Sequence, residues 1–182
     1  NTMSEIKLTT PLSISDIDFR IQSISNKGYA TILAYKDARV DMNRLDAVYG
    51  TGFWQRKHSL INGNLFCSVG VWNKELQQWV WVEDVGTESN TEKEKGQASD
   101  SFKRACFNLG IGRELYDYPI IRVQLKPNEF KEYNGKAQAT FDLKLKEWKW
   151  YSEHNEHGQI TFLGCRDEKG DLRFKWGESN KK

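Results

Sequence analysis

The sequence predicts an α+β fold in which an antiparallel β-meander (a β-β-β-α core) packs against a long helix and a second helix, with an appended C-terminal β-hairpin region. Two stretches, at about 36–49 and 92–109, repeat apolar residues at the spacing of an amphipathic helix. Three runs rich in β-branched and aromatic residues lie between them and are separated by turn residues. A sheet with one apolar face needs a cover, and the two helices are the available partners.

The chain before the first helix is expected to hold little regular structure. Residues 1–15 are polar and are predicted to form a flexible N-terminal segment. Pro11 precedes a predicted short turn or helix around Ile14 to Gln22. The β-prone run 29–34 predicts a short strand.

The first helix and the meander follow directly. The helix is predicted at about 36–49, because its apolar residues recur at helical spacing and a Gly-Thr-Gly sequence ends it. Three antiparallel strands are predicted over 54–61, 65–72 and 79–85. Asn62-Gly63 between the first two favours a type I′ hairpin turn.

The long helix is predicted to begin near Glu92 and to end at Gly110-Ile111-Gly112. Its apolar stripe consists of Ala98, Phe102, Ala105, Cys106 and Leu109. At about 100° per residue, Lys103 and Arg104 fall away from this stripe, and Phe107 lies between them. Two adjacent cations on a solvent face are suitable anchors for phosphate.

Beyond this helix, the sequence predicts a brief turn at 113–116 and a strand over 120–125. After Pro127 the chain becomes charged and aromatic, with strands predicted at about 138–150, 159–164 and 172–176. The predicted organisation is a flexible segment (1–15), a core domain (16–125) and a C-terminal β-rich extension (126–182).

Composition narrows the function classes only slightly. The 27 Lys and Arg nearly balance the 25 Asp and Glu, so only a local cluster of cations would indicate nucleic acid. The three cysteines are far apart and include no Cys-x-x-Cys pair, which argues against a disulfide framework or zinc knuckle and favours a reducing cytoplasm. No apolar run is long enough to cross a bilayer, so a cytoplasmic location is expected.

Most catalytic motifs are absent from the sequence. There is no P-loop sequence, and the Gly-x-Gly at 110–112 follows a helix instead of a strand, which disfavours ATP-driven and dinucleotide chemistry. His154, His157 and Cys165 form an incomplete zinc set, because a fourth ligand is missing. An alternative function is a Mg²⁺-dependent nuclease. It would use Glu83 and Asp84 with Glu129-x-Lys131 or Glu147-x-Lys149.

Several segments in a fixed order resemble one known family. They are Asp16-Ile-x-Phe-Arg20-Ile-Gln22, Tyr35-Lys-Asp-Ala-Arg39-Val, Val48-Tyr49-Gly50 with Trp54, Glu83-Asp84-Val85-Gly86, Lys95-Gly96, Ser99-Asp100-x-x-Lys103-Arg104-Ala105 and Tyr116-Asp117. Over about residues 8–120 the chain is similar to the Rad fifty-two superfamily, and within it to the phage Sak-type single-strand annealing proteins.

The resemblance implies a function without a cofactor, without ATP and without enzymatic turnover. Members assemble side by side into rings or helical filaments, whose positive groove holds single-stranded DNA by its backbone and leaves the bases outward. The expected activity is annealing of complementary strands in homologous recombination and double-strand break repair, here as a phage recombinase in a bacterial host cell. A multimeric scaffold with no DNA role is a further alternative.

The resemblance also implies which residues contact DNA. Lys103, Arg104 and Arg20 match basic positions that face the groove and are the primary candidates. The alternative for the first two is an ordinary solvated face paired with Asp100. Phe107 stands where eukaryotic members are basic, and it is expected to stack a base or to pack on a neighbouring subunit.

Other residues are expected to contribute less. Arg39 is expected to line the groove or to form an intersubunit salt bridge. Secondary candidates for the positive surface are Tyr35, Arg56, Lys57 and Lys74.

Residues 126–182 lie outside this resemblance. They could enlarge the sheet or recruit a phage nuclease or the host single-strand-binding protein. They could also bind a second DNA strand through Lys144, Lys146, Lys149 and Trp148.

Overall fold

The computed structural model describes residues 5–87 and 93–181, with the side chains of 93–95 excepted. Within this part of the chain, the helices are α1 (Ala38–Tyr49) and α2 (Lys93–Asn108). The strands are β1 (Ile17–Ile24), β2 (Tyr29–Lys36), β3 (Trp54–Ile61), β4 (Asn64–Asn73), β5 (Gln78–Val85), β6 (Ile121–Gln124), β7 (Phe130–Tyr133), β8 (Lys136–Ala139), β9 (Lys149–His154), β10 (Ile160–Arg166) and β11 (Leu172–Gly177). The predicted α+β fold class is confirmed.

The chain divides into two compact units. Unit 1 contains Asn1–Leu12 and Lys36–Arg113, and unit 2 contains Ser13–Tyr35 and Glu114–Lys182. This division does not coincide with the predicted boundary at residue 125, because β6 pairs with β2 and both group with the C-terminal strands. Pairing between distant segments is not visible in local sequence patterns.

Unit 1 is built on the predicted meander, which is confirmed. Strands β3, β4 and β5 pair antiparallel in that order. The first turn has positive φ at both Asn62 (52°) and Gly63 (79°), as a type I′ turn requires. Side chains alternate between the two faces of the sheet, and Cys67 and Val69 on the face toward α2 are fully buried.

Local signals set the ends of both helices. Asp37 caps α1 by accepting a hydrogen bond from the Arg39 amide, and Gly50 follows its last turn with φ of 93°. After α2, Gly110 also adopts a left-handed φ of 93°. Glu92, where this helix was predicted to begin, lies outside the described residues.

Residues 7–12, part of the segment predicted to be flexible, are attached to unit 1. The guanidinium of Arg44 donates to the carbonyls of Lys7, Leu8 and Thr10, and Leu12 is buried. A single arginine on α1 therefore holds a turn that has no regular secondary structure of its own.

Unit 2 contains the sheet β1-β2-β6, the sheet β9-β10-β11 and the hairpin β7–β8. Its core is a cluster of buried residues from both sheets and their connections. The members are Ala30, Ile32, Ile121, Val123, Leu125, Trp148, Ile160, Leu163 and Cys165.

Two sequence predictions in unit 2 were wrong. The predicted turn or helix around Ile14 to Gln22 is a short 3₁₀ turn followed by β1, because Ile17, Phe19 and Ile21 alternate with polar residues at strand period. The predicted strand at 138–150 is interrupted by turns and by a 3₁₀ helix, Leu145–Glu147. Alternating Leu and Lys residues in that segment imitate a strand pattern.

Among the described residues, no helix combines the length and apolar character needed to cross a membrane.

Candidate nucleic-acid interface

Lys103 and Arg104 lie on α2, outside the stripe that packs against the meander. Phe102, Ala105 and Cys106 form that stripe and are fully buried beneath the helix. Both cations are half-buried on its other sides. The helical spacing therefore places their charges on the surface, as predicted.

Arg104 forms the ion pair with Asp100 that the spacing allows. Its Nε donates to Asp100 Oδ2 over 2.8 Å, and the same oxygen accepts hydrogen bonds from the amide and hydroxyl of Thr87. Although burial alone would raise it, these hydrogen bonds hold the pKa of Asp100 below its ordinary value. The Arg104 side chain remains 42% exposed beside this pair.

A buried lysine lies beneath the carboxyl-terminal half of α2. Lys36 Nζ pairs with the Asp41 carboxylate and donates to the carbonyl oxygens of Ile111 (3.1 Å) and Lys103 (3.3 Å). Burial lowers the pKa of Lys36 and raises that of Asp41, and the charge of each offsets part of the shift in the other. This network fixes the backbone that carries Lys103.

Phe107, predicted to stack a base or to pack on a neighbouring subunit, also has a contact within its own subunit. Lys36 Nζ lies 3.9 Å from the centroid of its ring, a cation–π contact within the same subunit. The half-buried ring is thus part of the support beneath α2. Local patterns do not reveal this contact, because Lys36 and Phe107 are far apart along the chain.

Arg39 lies at the amino end of α1 and is highly exposed. Its Nε contacts Asp37 Oδ1 over 3.1 Å. Hydrogen bonds from the Arg39 amide and side chain lower the pKa of Asp37, and the positive charge of Lys103 contributes to the same shift. The structure therefore brings Arg39 and Lys103 into the electrostatic range of one carboxylate.

The secondary cations on the meander are separated. Arg56 and Lys57 are consecutive in β3 and point to opposite faces of the sheet. The Arg56 guanidinium lies 4.8 Å from the Phe102 ring centroid, on the side of α2. Lys57 Nζ lies 4.3 Å from the Trp81 ring centroid on the outer face. Lys74 is exposed in the turn between β4 and β5.

The outer face of the meander carries an aromatic row that the sequence analysis did not assemble. Trp72 and Trp79 are cross-strand neighbours with ring centroids 5.6 Å apart, and Trp81 follows at 6.4 Å from Trp79. Trp81 covers Gly70, where a Cβ atom would lie 2.8 Å from its ring. The sequence did contain a signal for this row, because Trp79 and Trp81 are two residues apart and so lie on the same face of β5, and Trp72 precedes the turn that leads to it.

Arg20 and Tyr35 belong to unit 2, whereas the other predicted site residues belong to unit 1. Arg20 is exposed on β1, and its guanidinium carbon lies 4.9 Å from the Tyr35 ring centroid. The two predicted residues therefore form one cation–π pair.

Arg113 is a further cation that the sequence analysis did not single out. Its guanidinium donates to the carbonyl oxygens of Phe107 and Asn108 at the end of α2. Lys, Arg and His near a helix end commonly bind its last carbonyls, which was the available signal. Arg113 adds positive charge beside Phe107.

The carboxylates proposed for a nuclease point in different directions. Glu83 and Asp84 are consecutive in β5 and face opposite sides of the sheet. Glu129 forms an ion pair with Arg173. Across residues 5–87 and 93–181, no three His, Cys, Asp or Glu side chains form a group suited to a metal ion.

Comparison with known proteins gives a limited similarity. No family model matches this chain. It is 36% identical, over 92 residues, to the single-stranded DNA-binding protein DdrA of Deinococcus radiodurans. The aligned region is 50% of this chain and spans only 43% of that protein.

Proposed function

We propose that this chain binds single-stranded DNA through the α2 surface and promotes ATP-independent annealing of complementary strands as a multimer. The observation that carries the proposal is the similarity to a single-stranded DNA-binding protein. The α2 geometry supports this surface as the binding site, because Lys103 and Arg104 lie on the outer sides of a helix whose backbone is held by hydrogen bonds from Lys36.

Lys103 and Arg104 are assigned to the phosphates. Arg39 and Arg56 extend the positive surface within unit 1. Arg20 is a separate candidate phosphate contact on unit 2. Phosphate contacts give affinity without base preference, which leaves the bases available to a complementary strand. Side-by-side assembly of subunits into a ring or filament would join these short surfaces into a continuous groove.

The first test is a salt titration of a labelled oligothymidine with the wild type and a Lys103→Ala, Arg104→Ala double variant. Two lost charged contacts should weaken binding on the order of a hundredfold. They should also reduce the slope of log affinity against log salt by about 1.4, at about 0.7 per phosphate. Unchanged affinity and slope would show that Lys103 and Arg104 do not contact the phosphates.

A matched control removes the same charge elsewhere. Lys131 and Lys136 are exposed on the β7–β8 hairpin of unit 2, and a Lys131→Ala, Lys136→Ala variant should bind like the wild type. Circular dichroism and thermal melting check that both double variants remain folded.

The second test is annealing itself. Two complementary labelled oligonucleotides are mixed with and without protein, and particle images of the same sample report assembly. The proposal expects faster pairing without ATP, together with rings or filaments. A protein that assembles but ignores oligonucleotides would instead be a scaffold.

A further inference from the structure

We infer that unit 2 has its own binding surface for single-stranded nucleic acid, on the outer face of the β9-β10-β11 sheet. The inference rests on the proposed function for its ligand class, but it concerns residues outside both the α2 surface and the family resemblance. The surface, termed the C-terminal hollow, is defined by Lys149, Tyr151, Phe162, Gly164, Arg166 and Lys175.

Strand pairing places these residues on one face. Gly164 lies between Tyr151 and Lys175, and Arg166 pairs with Lys149 in the next outward row. The intervening residues Leu163 and Cys165 face the opposite side and belong to the buried core of unit 2. The hollow is thus the solvent-facing side of a sheet whose other side is fully occupied.

The shape of the hollow comes from its floor. Gly164 has no side chain, and a Cβ atom there would lie 3.1 Å from the Phe162 ring. Phe162 is only 8% exposed and forms part of the floor. The resulting hollow has a volume of about 760 Å³, which lies in the range of small-molecule sites.

Positive charge dominates the rim. Lys149, Arg166 and Lys175 are exposed on three adjacent strands, and Lys169 lies on the turn beside them. The exposed carboxylates nearby are Glu168 and Asp171 on the same turn, of which Asp171 pairs with Lys126, and Glu178 after β11. Asp167 is buried in an ion pair with Arg173, and Glu153 lies half-buried at the far end of β9. The exposed cations therefore outnumber the exposed acids, which suits a polyanion.

An exposed aromatic ring argues for a nucleic acid over an acidic peptide. Tyr151 is 38% exposed and leans on Phe162, with ring centroids 5.9 Å apart. Lys181 Nζ lies 4.8 Å from the Tyr151 ring centroid and adds a further cation. A ring on a sheet surrounded by cations is the arrangement that stacks a base while neighbouring charges hold the phosphates.

Trp148, the aromatic residue considered from the sequence, does not take part. It is 5% exposed, and the Arg173 guanidinium covers it at 4.4 Å from the ring centroid. The inference therefore keeps Lys149 from the sequence expectation and assigns the stacking ring to Tyr151.

The test combines charge variants in the full-length chain. At about 50 mM salt, the Lys103→Ala, Arg104→Ala protein should retain weak binding of labelled oligothymidine. Adding Lys149→Ala and Lys175→Ala should weaken it a further tenfold or so, whereas adding Lys131→Ala and Lys136→Ala should not. The inference would be overturned if Lys149→Ala and Lys175→Ala left the affinity unchanged both in the wild type and in the Lys103→Ala, Arg104→Ala variant.

A second readout isolates the stacking contact. With the α2 cations removed, the protein should prefer oligothymidine over an abasic oligonucleotide of equal length. Tyr151→Leu should abolish this preference, and Tyr151→Phe should preserve it. Polyglutamate that competes as well as oligothymidine would overturn the inference in favour of an acidic peptide.

The two proposals fail separately. Loss of binding in the Lys149→Ala, Lys175→Ala variant alone would remove the α2 assignment and support the hollow. Loss in the Lys103→Ala, Arg104→Ala variant alone, with no residual binding, would remove the hollow and support the proposed function.

Discussion

Replacing Lys36 with methionine tests whether a buried ion pair holds the α2 surface in place. The Lys36 side chain is 1% exposed, and its Asp41 partner is fully buried. Methionine keeps most of the length and removes the charge. The change leaves the Asp41 carboxylate and the carbonyls of Lys103 and Ile111 without this donor.

The expected cost follows from these losses. Removing one partner of a buried pair destabilises a protein by about 3–5 kcal/mol, because the remaining charge is buried without compensation. With a urea dependence of about 2 kcal/mol per molar, the unfolding midpoint should fall by about 2 M. The double variant Lys36→Met, Asp41→Leu removes both polar groups and should recover much of the loss, because only the two carbonyls remain deprived.

Urea unfolding of the wild type, Lys36→Met, Asp41→Leu and the double variant, followed by tryptophan fluorescence and circular dichroism, gives the three free-energy differences of a double-mutant cycle. Lys74→Met serves as the control, because Lys74 is exposed in a turn and its loss should change stability little. If the two single variants simply add to give the double variant, the pair does not act as argued. A loss of stability below about 1 kcal/mol for Lys36→Met would also contradict the role of this buried ion pair.

Three further variants test other contacts. Asp167→Asn should destabilise unit 2 by about 1–3 kcal/mol, because the buried Arg173 loses one of its two carboxylate partners and keeps Glu129. Burial would raise the pKa of Asp167, but hydrogen bonds hold it at about 2. The wild type should therefore lose this stability as pH falls from about 4 toward 2, because Asp167 takes up a proton there. The melting temperature of Asp167→Asn should change less over the same pH range. Gly86→Ala places a Cβ against the backbone carbonyl of Gln97 and should lower the melting temperature, at a cost of about 1–3 kcal/mol. Arg113→Ala removes donors at the end of α2 and should speed amide exchange there, and unchanged exchange would contradict this role.

Local patterns identified the elements of unit 1 well, because each has a strong short-range cause. The Asn62-Gly63 turn, the Asp37 cap and the glycine after α2 all act within a few residues. The strand at 17–24 was missed because a short polar run after Pro11 imitates a helix start. The contact between Phe107 and Lys36 was missed because the two residues are distant in sequence.

The sequence alone determined the α+β class, the meander, the two helices and the solvent side of Lys103 and Arg104. These features follow from periodicity and turn chemistry, which are local properties of a chain. Three other features were determined only by the tertiary structure. Strand β2 pairs with β6, Lys36 is buried against Asp41, and Arg56 and Lys57 lie on opposite faces of one sheet. These outcomes depend on contacts between distant segments, which form only when burial and strand register are satisfied together.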